Sequence, residues 1–360
     1  AKSDWSLERD HRSHLYREYL HVLAHVQPVA FVMENVKGLL SARLNGEPLF
    51  TRILEDLRDP FRALGGRGSR RRYRIVPIVR SMDDPSPSLL TDDSARSPSS
   101  FIVRAEQHGV PQARHRVILV GICETSPIKG DLWLQPSKAS TVRHAIGALP
   151  RLRSGLSGAG DNWQEWSSVL RDAGKSPWWR EIDRDVADRI RGAVDETCDL
   201  ALEREAQSVR AGSRSQTCVN HESRGHMRDD LHRYLFASAW ADLRGVSPTL
   251  RNYPTSLLPE HANVEQALER GHFGDRFRVQ VWDAPSTTVV SHISKDGHYY
   301  IHPDPAQCRS LTVREAARLQ TFPDNYWFCG PRTAQYHQVG NAVPVELARR
   351  IAALVHAHLN

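Results

Sequence analysis

Phe31-Val32-Met33-Glu34-Asn35-Val36 is the stretch on which the reading of the fold turns. Phe31, Val32 and Met33 make a short continuous apolar run after the breaker Pro28, which suits a strand buried on both faces of a parallel sheet. The run ends in Glu34 and Asn35, and Lys37-Gly38 supplies the turn beyond them. In open α/β sheets, ligands and chemistry sit in the crevice past the carboxyl ends of the strands. A carboxylic acid set there against apolar walls can keep its proton and donate a hydrogen bond. A solvated acid at a strand end explains the local pattern as well, so the rest of the chain has to decide.

Upstream, Leu15, Tyr19, Val22, Leu23 and Val26 recur at helical spacing, predicting an amphipathic helix from near Ser13 to Pro28. Downstream, Leu49 to Leu64 reads as a helix with Phe50, Ile53, Leu54 and Leu57 on one face and a break at Pro60. Arg67 to Arg72 is a basic loop that could touch phosphates or simply be a solvated charge run. Tyr73–Val79 and Phe101–Val103 read as strands, separated by the Ser/Pro/Asp-rich Ser81–Ser100. Next, Gln107-His108-Gly109-Val110-Pro111-Gln112-Ala113-Arg114-His115-Arg116 leads into the buried strand Val117–Gly121. Arg114 and Arg116, two apart, emerge on one side of an extended chain. They suit a planar oxygen-bearing group, or are a surface pair at a strand entrance.

Past Pro136 the texture changes. Arg153–Gly160 reads as a linker or loop, and the segment from Trp163 to Ala211 is Trp-rich and then charged, with helical patches at Ile182–Val194 and Leu200–Val209. A helix core lies at Leu231–Ala241. The mix of basic, polar and aromatic groups in His226–Tyr234 suits a groove reader. His221, His226 and His232 are too loosely spaced for a metal and read as surface histidines. Phe277–Val281 and Ser286–Ile293 read as strands, and Asp296-Gly297 as a hairpin turn into Tyr299–Ile301. Thr312 and Glu315 form a capping box that opens a helix stopped by Pro323. Gln338-Val339-Gly340-Asn341-Ala342-Val343-Pro344 leads into the amphipathic helix Val345–His358. A Gly-Asn pair opening a helix can offer backbone donors and an amide to a ligand.

Composition sets outer limits. The 360 residues are 40% hydrophobic, enough for a sizeable core and for two domains rather than one. No apolar run approaches a membrane span and no signal-peptide pattern opens the sequence. Five scattered cysteines argue against a disulfide framework or a zinc site and for a reducing cytoplasm. Lys plus Arg outnumbers Asp plus Glu by 48 to 42, and the Arg-rich excess suits phosphate and guanine.

Taken together, these segments resemble the DNA (cytosine-5)-methyltransferase family. Asp10-His11-Arg12 with Leu15 and Glu18 resembles the helix before its catalytic acid, and Phe31–Val36 resembles its Glu-Asn-Val block. Gly109–Arg116 resembles its Gln-x-Arg-x-Arg block, Leu311–Gln320 with Phe322-Pro323 its penultimate block, and Gln338–Val343 its last. Five blocks in order, from about Arg9 onward, are a specific match. The resemblance implies an α/β fold: part of a Rossmann-like S-adenosylmethionine-dependent methyltransferase sheet, plus a mixed α+β target-recognition domain. The domains implied are a partial catalytic domain at 1–140, a DNA-reading domain at 141–305 and a return to the catalytic domain at 306–360.

In the family, a thiolate adds at cytosine C6 and makes C5 nucleophilic toward the sulfonium methyl. On the matching positions, Glu34 would act at N3, and Arg116 with Arg114 would hold O2 or a flanking phosphate. Asn341, Ala342 and Leu15 would contact S-adenosylmethionine. Asn35, Gln112, Gly340, Arg314 and Glu315 would be structural, with Gln112 organising its loop and the last two buttressing the recognition domain. The substrate would be double-stranded DNA with the cytosine flipped out, in a bacterial restriction-modification setting in the cytoplasm or nucleoid. The family's Gly-rich cofactor loop and Pro-Cys nucleophile are absent, and none of the five cysteines follows a proline or precedes Glu34. A partner chain or a missing N-terminal segment is therefore expected to supply them. The alternative is a catalytically inactive DNA-binding or regulatory homologue.

Overall fold

The computed structural model describes residues 15–44, 46–68, 70–80, 97–127, 132–158, 162–200, 202–205, 218–259, 264 and 276–359. Asp10-His11-Arg12, the helix start near Ser13, most of Ser81–Ser100 and half of Leu200–Val209 lie outside them, and the described 202–205 are not the helix expected there. The chain divides into two compact units. The first holds residues 1–108, 114–137 and 347–360, and the second holds 109–113 and 138–346.

The first unit starts with α1 (Leu15–Val26) and β1 (Ala30–Val36). A small hairpin follows, β2 (Arg43–Leu44) with β3 (Glu47–Pro48), then α2 (Leu49–Arg58) and α3 (Pro60–Ala63), the break falling at the expected proline. β4 (Tyr73–Val76), β5 (Ile102–Arg104) and, after β6 (Gln112–Ala113) of the second unit, β7 (His115–Cys123) complete its sheet. β7 is the central strand: β1 runs along one side, and β4 and β5 share the other. All three pairings are antiparallel, which corrects the parallel arrangement expected for Phe31–Met33. An apolar run reports burial, not strand direction. The two-sided burial belongs to β7, whose Val117–Cys123 are all buried, while Val32 of β1 is 41% exposed.

α1 also corrects the expected face. Tyr16, Leu20 and Leu23 enter the core with Phe31, Ile53, Leu57, Val117 and Leu119, whereas Leu15, Val22 and Val26 are exposed. At about 100° per residue, 15, 22 and 26 share one line of the helix and 16, 20 and 23 lie roughly a quarter-turn or more away. The sequence showed a broad apolar arc without saying which part would be covered. The basic loop folds back on this helix: Arg71 Nη1 donates to Gln27 O (2.6 Å) and Arg70 Nη1 to Ala24 O (3.5 Å). Cations at the last carbonyls of a helix satisfy orphan acceptors and complement its dipole.

The second unit comprises α4 (Val142–Ile146), β8 (Gly155–Leu156), α5 (Trp163–Arg171), α6 (Arg184–Leu200), β9 (Gly225–His226), α7 (Arg228–Arg244), β10 (Ser286–Thr287), α8 (Val313–Leu319) and α9 (Arg332–Asn341). α10 (Val345–Leu359) begins in it and continues into the first unit. One core gathers Trp166, Trp178, Leu231, Tyr234 and Phe236, and another gathers Val142, Val289, Ile293, Ala316 and Val339. Arg153–Leu156, expected in a linker or loop, is buried, and its Gly155–Leu156 pairs as β8 with β9.

Of the strands expected at Phe277–Val281 and Ser286–Ile293, only Ser286–Thr287 forms, parallel to β6; Val279 and Ile301 share a single bridge. Side chains satisfy the backbone instead: Gln280 Oε1 accepts from Thr287 N, and Tyr300 hydroxyl donates to Thr288 O and accepts from Val290 N. Gly297 makes the expected turn at φ +81°. Among the described residues no helix is long and apolar enough to cross a membrane.

Candidate functional site

Register places the acid. Glu34 lies directly opposite Ile118, and Arg116, two residues before it, is opposite Val36. Residues two apart share a face, so Arg116 is the diagonal neighbour of Glu34, within reach of a long side chain. Arg116 Nε approaches Glu34 Oε1 to 2.9 Å, with its side chain only 13% exposed. Arg116 Nη1 also donates to His115 O at 2.9 Å. Burial lowers the arginine's pKa, against the pull of Glu34 toward the charged form. A guanidinium thus stands beside the acid, where the local reading of Phe31–Val36 set apolar walls. Val103, facing Arg116 from β5, and Ile118 supply the apolar part. Arg114 is buried just before β7, its carbonyl accepting from Ala105 N (3.0 Å). Asn35 points to the opposite face from Glu34 and its Oδ1 accepts from Val36 N (2.8 Å). Beside this group, His115 Nε2 lies 2.6 Å from Glu106 Oε1, a pair the sequence reading passed over. Only its i, i+9 spacing across a tight turn could have hinted at it.

In the second unit, Gln112 is a buried connector. Its Oε1 accepts from Val289 N (2.8 Å), and its Nε2 donates to Leu319 O (3.2 Å) and Gln320 Oε1 (3.1 Å). Arg314 is fully buried and donates to the carbonyls of Val219, Pro323 and Tyr326. Glu315 closes both arms of the capping box and takes two 2.7 Å hydrogen bonds from Arg309. Burial pushes the Glu315 carboxyl upward, but Arg309, with help from His302 and His221, holds it well below the usual carboxylate range.

His221 and His226 are buried, which corrects their reading as surface histidines. His221 bridges Thr312 Oγ1 (2.9 Å) and Pro150 O (2.8 Å), and desolvation lowers its pKa. Among the described residues no cluster could hold a metal.

Gly340-Asn341 closes α9 rather than opening the next helix. The first donors of α10 are already engaged, Val345 N by Gln320 O (3.1 Å) and Glu346 N by Thr321 Oγ1 (2.9 Å). Asn341 is exposed, Ala342 half-buried, and both belong to the second unit; Leu15, 56% exposed, belongs to the first. Of the cysteines, Cys308 is buried with its thiol pushed far up by desolvation. Cys123 lies seven residues along β7 from Arg116, roughly 23 Å at strand rise.

Comparison with known proteins gives this geometry a context. A family model for the C-5 cytosine-specific DNA methylase matches residues 6–60 and 97–356. The type II methyltransferase M.Bpa9945I of Bacillus paralicheniformis is 32% identical over 359 residues, spanning 99% of this chain and 66% of its own length. M.AgeI of Thalassovita gelatinovora, also a type II methyltransferase, is 27% identical, spanning 96% of this chain and 77% of its own. A crystal structure described as a prophage-encoded DNA modification methyltransferase of E. coli shares the fold, with TM-score 0.51 and 17% identity over 98% of this chain and 75% of that one. The fold is that of an α/β methyltransferase, and the chain belongs to the C-5 cytosine-specific DNA methylase family.

Proposed function

We propose that this chain carries the acid and arginine of a DNA (cytosine-5)-methyltransferase of a bacterial restriction-modification system. It would act on double-stranded DNA with the target cytosine flipped out. The observation that supports this reading best is the Glu34–Arg116 pair, 2.9 Å apart on one face of the sheet. N3 and O2 of cytosine are neighbouring atoms of one edge, so an acid and a guanidinium held side by side match it. Glu34 is the acid placed at N3, sharing with it the proton that N3 gains as a thiolate adds at C6, and Arg116, backed by Arg114, stabilises the negative charge that builds on the base. Val103 and Ile118 are the buried register neighbours of the pair, which leaves the Glu34 side chain 29% exposed.

S-adenosylmethionine supplies the methyl group. The exposed Asn341 and the backbone at Ala342 fit the polar edges of such a molecule. Residues 141–305 would read the DNA sequence in the major groove.

The thiolate and the Gly-rich loop come from a further segment or chain. Two features suit a partner. Cys123 N donates to Val29 O, which phases the β1–β7 ladder so that the backbone groups of Ala30, Val32, Glu34 and Val36 point outward. Among the described residues no strand pairs with that edge, and Leu15, Val22 and Val26 line α1 with exposed apolar surface.

The test mixes this chain with a polypeptide bearing the Gly-rich and Pro-Cys blocks and follows methyl transfer to DNA. Transfer is expected, with Glu34→Gln slowing it by roughly 10²–10³-fold. Wild-type rates in Glu34→Gln would overturn the assignment. DNA binding without any transfer would favour the inactive homologue.

A further inference from the structure

The turn Asn341–Pro344, between α9 and α10, is held from one corner by two consecutive residues to which the family resemblance gave no role. Gln320, fully buried at the end of α8, donates through Nε2 to Val339 O (2.9 Å) and Ala342 O (3.3 Å). Its own carbonyl accepts from Val345 N (3.1 Å). Thr321 Oγ1 accepts from Glu346 N at 2.9 Å. So the carbonyl on one side of the turn and both leading amides of the next helix are fixed from a single corner.

That corner is itself constrained. Thr321 sits at φ +58°, a region a β-branched residue rarely adopts and holds only when its surroundings over-determine it. Gln112 locks the Gln320 amide from behind, donating to Gln320 Oε1 while its own Oε1 takes Val289 N. Each amide oxygen is an acceptor and each amide nitrogen a donor in this chain, so the direction of the whole relay is set. On the far side, Gly340 meets the backbone of Val290 and Ser291 with no room for a Cβ.

We propose that Gln320 and Thr321 are positioning residues: they set the backbone of the Asn341–Ala342 turn and through it the affinity for S-adenosylmethionine. The affinity clause rests on the reading of Asn341 and Ala342 given above; the grip on the turn does not. The left-handed Thr321 is the device that lets one residue offer its hydroxyl to α10 while the residue before it offers both amide and carbonyl.

The test compares Gln320→Met, Thr321→Val and Thr321→Ser. Hydrogen exchange on the full chain reads the amides of Ala342, Val345 and Glu346 against those of α7. Gln320→Met and Thr321→Val should each speed local exchange tenfold or more with α7 unchanged, and Thr321→Ser, which restores the hydroxyl, should return protection. In the methyl-transferring mixture, the same two variants should weaken binding of S-adenosylhomocysteine at least tenfold and leave DNA affinity as it was. Unchanged local exchange overturns the grip. Faster exchange throughout α7 overturns it too, by showing a role in the fold at large. Faster local exchange with wild-type S-adenosylhomocysteine affinity overturns the positioning role. If no mixture transfers methyl groups, the methyltransferase reading falls, while the exchange comparison still decides the grip.

Discussion

Replacing Gly340 by alanine puts a methyl group where backbone already lies. The added Cβ would fall 2.4 Å from Ser291 N, 2.5 Å from Val290 C and 2.8 Å from Ser291 Cα. Carbon atoms in packed interiors rest at about 3.5–4.0 Å, so α9 and the turn Ser291–Ser294 must part by around 1 Å. None of the obstructing atoms belongs to a side chain that could swing away. Overpacking of this kind costs about 3 kcal/mol at the upper end of its usual range, and alanine returns about 1 kcal/mol of helix propensity. A net loss of about 2 kcal/mol is expected. Gly192, exposed inside α6 with nothing within 4 Å of its would-be Cβ, is the control. There the same substitution should stabilise by about 1 kcal/mol. Urea unfolding of both variants measures the difference as a shift of midpoint at constant slope. A Gly340→Ala protein as stable as the wild type, or a Gly192→Ala protein equally damaged, would refute the reasoning.

Two further outcomes follow from the geometry. His302 is held down to about 4 by burial and by Arg309, so the unfolded chain takes up a proton near 6.5 that the folded protein refuses. Stability complete above about pH 6.5 should therefore fall as the pH drops toward 4, by on the order of 3 kcal/mol from this group. Buried His221 and His226, also lowered, act in the same direction. Thermal unfolding at pH 7, 5.5 and 4.5 checks it; a flat Tm, or no flattening of the slope in His302→Gln, counts against it. On the first unit, Val22→Glu with Val26→Glu should change stability by less than about 0.5 kcal/mol, since both side chains are exposed. The pair should nevertheless prevent assembly with the complementing polypeptide in sedimentation, and undiminished assembly would place the contact elsewhere.

Local chemistry was legible where it depends on near neighbours. The Thr312–Glu315 capping box, the break at Pro60, the turn at Gly297 and the helix Val345–Leu359 all involve residues within a few positions of one another. The periodic apolar residues of α2 and the burial of Val117–Gly121 likewise follow from spacing alone. Ordered blocks carried the family, because each is a contiguous string that can be read without knowing any tertiary pairing.

What the tertiary structure decided is every question of pairing. Strand direction, the uncovered side of α1 and the ion pair between Glu34 and Arg116 depend on residues 80 or so positions apart meeting in one register. The same holds for Gln112, whose amide bonds residues more than 170 positions away, and for Glu315, whose charge is balanced by a fully buried Arg309. Gly340-Asn341 reads as a helix start in sequence and is a helix end in space, since the donors of the next helix had already been taken by Gln320 and Thr321. A sequence states which groups must be satisfied; only the folded chain chooses the partner, because hydrogen bonds and ion pairs form with whatever packing brings within about 3 Å.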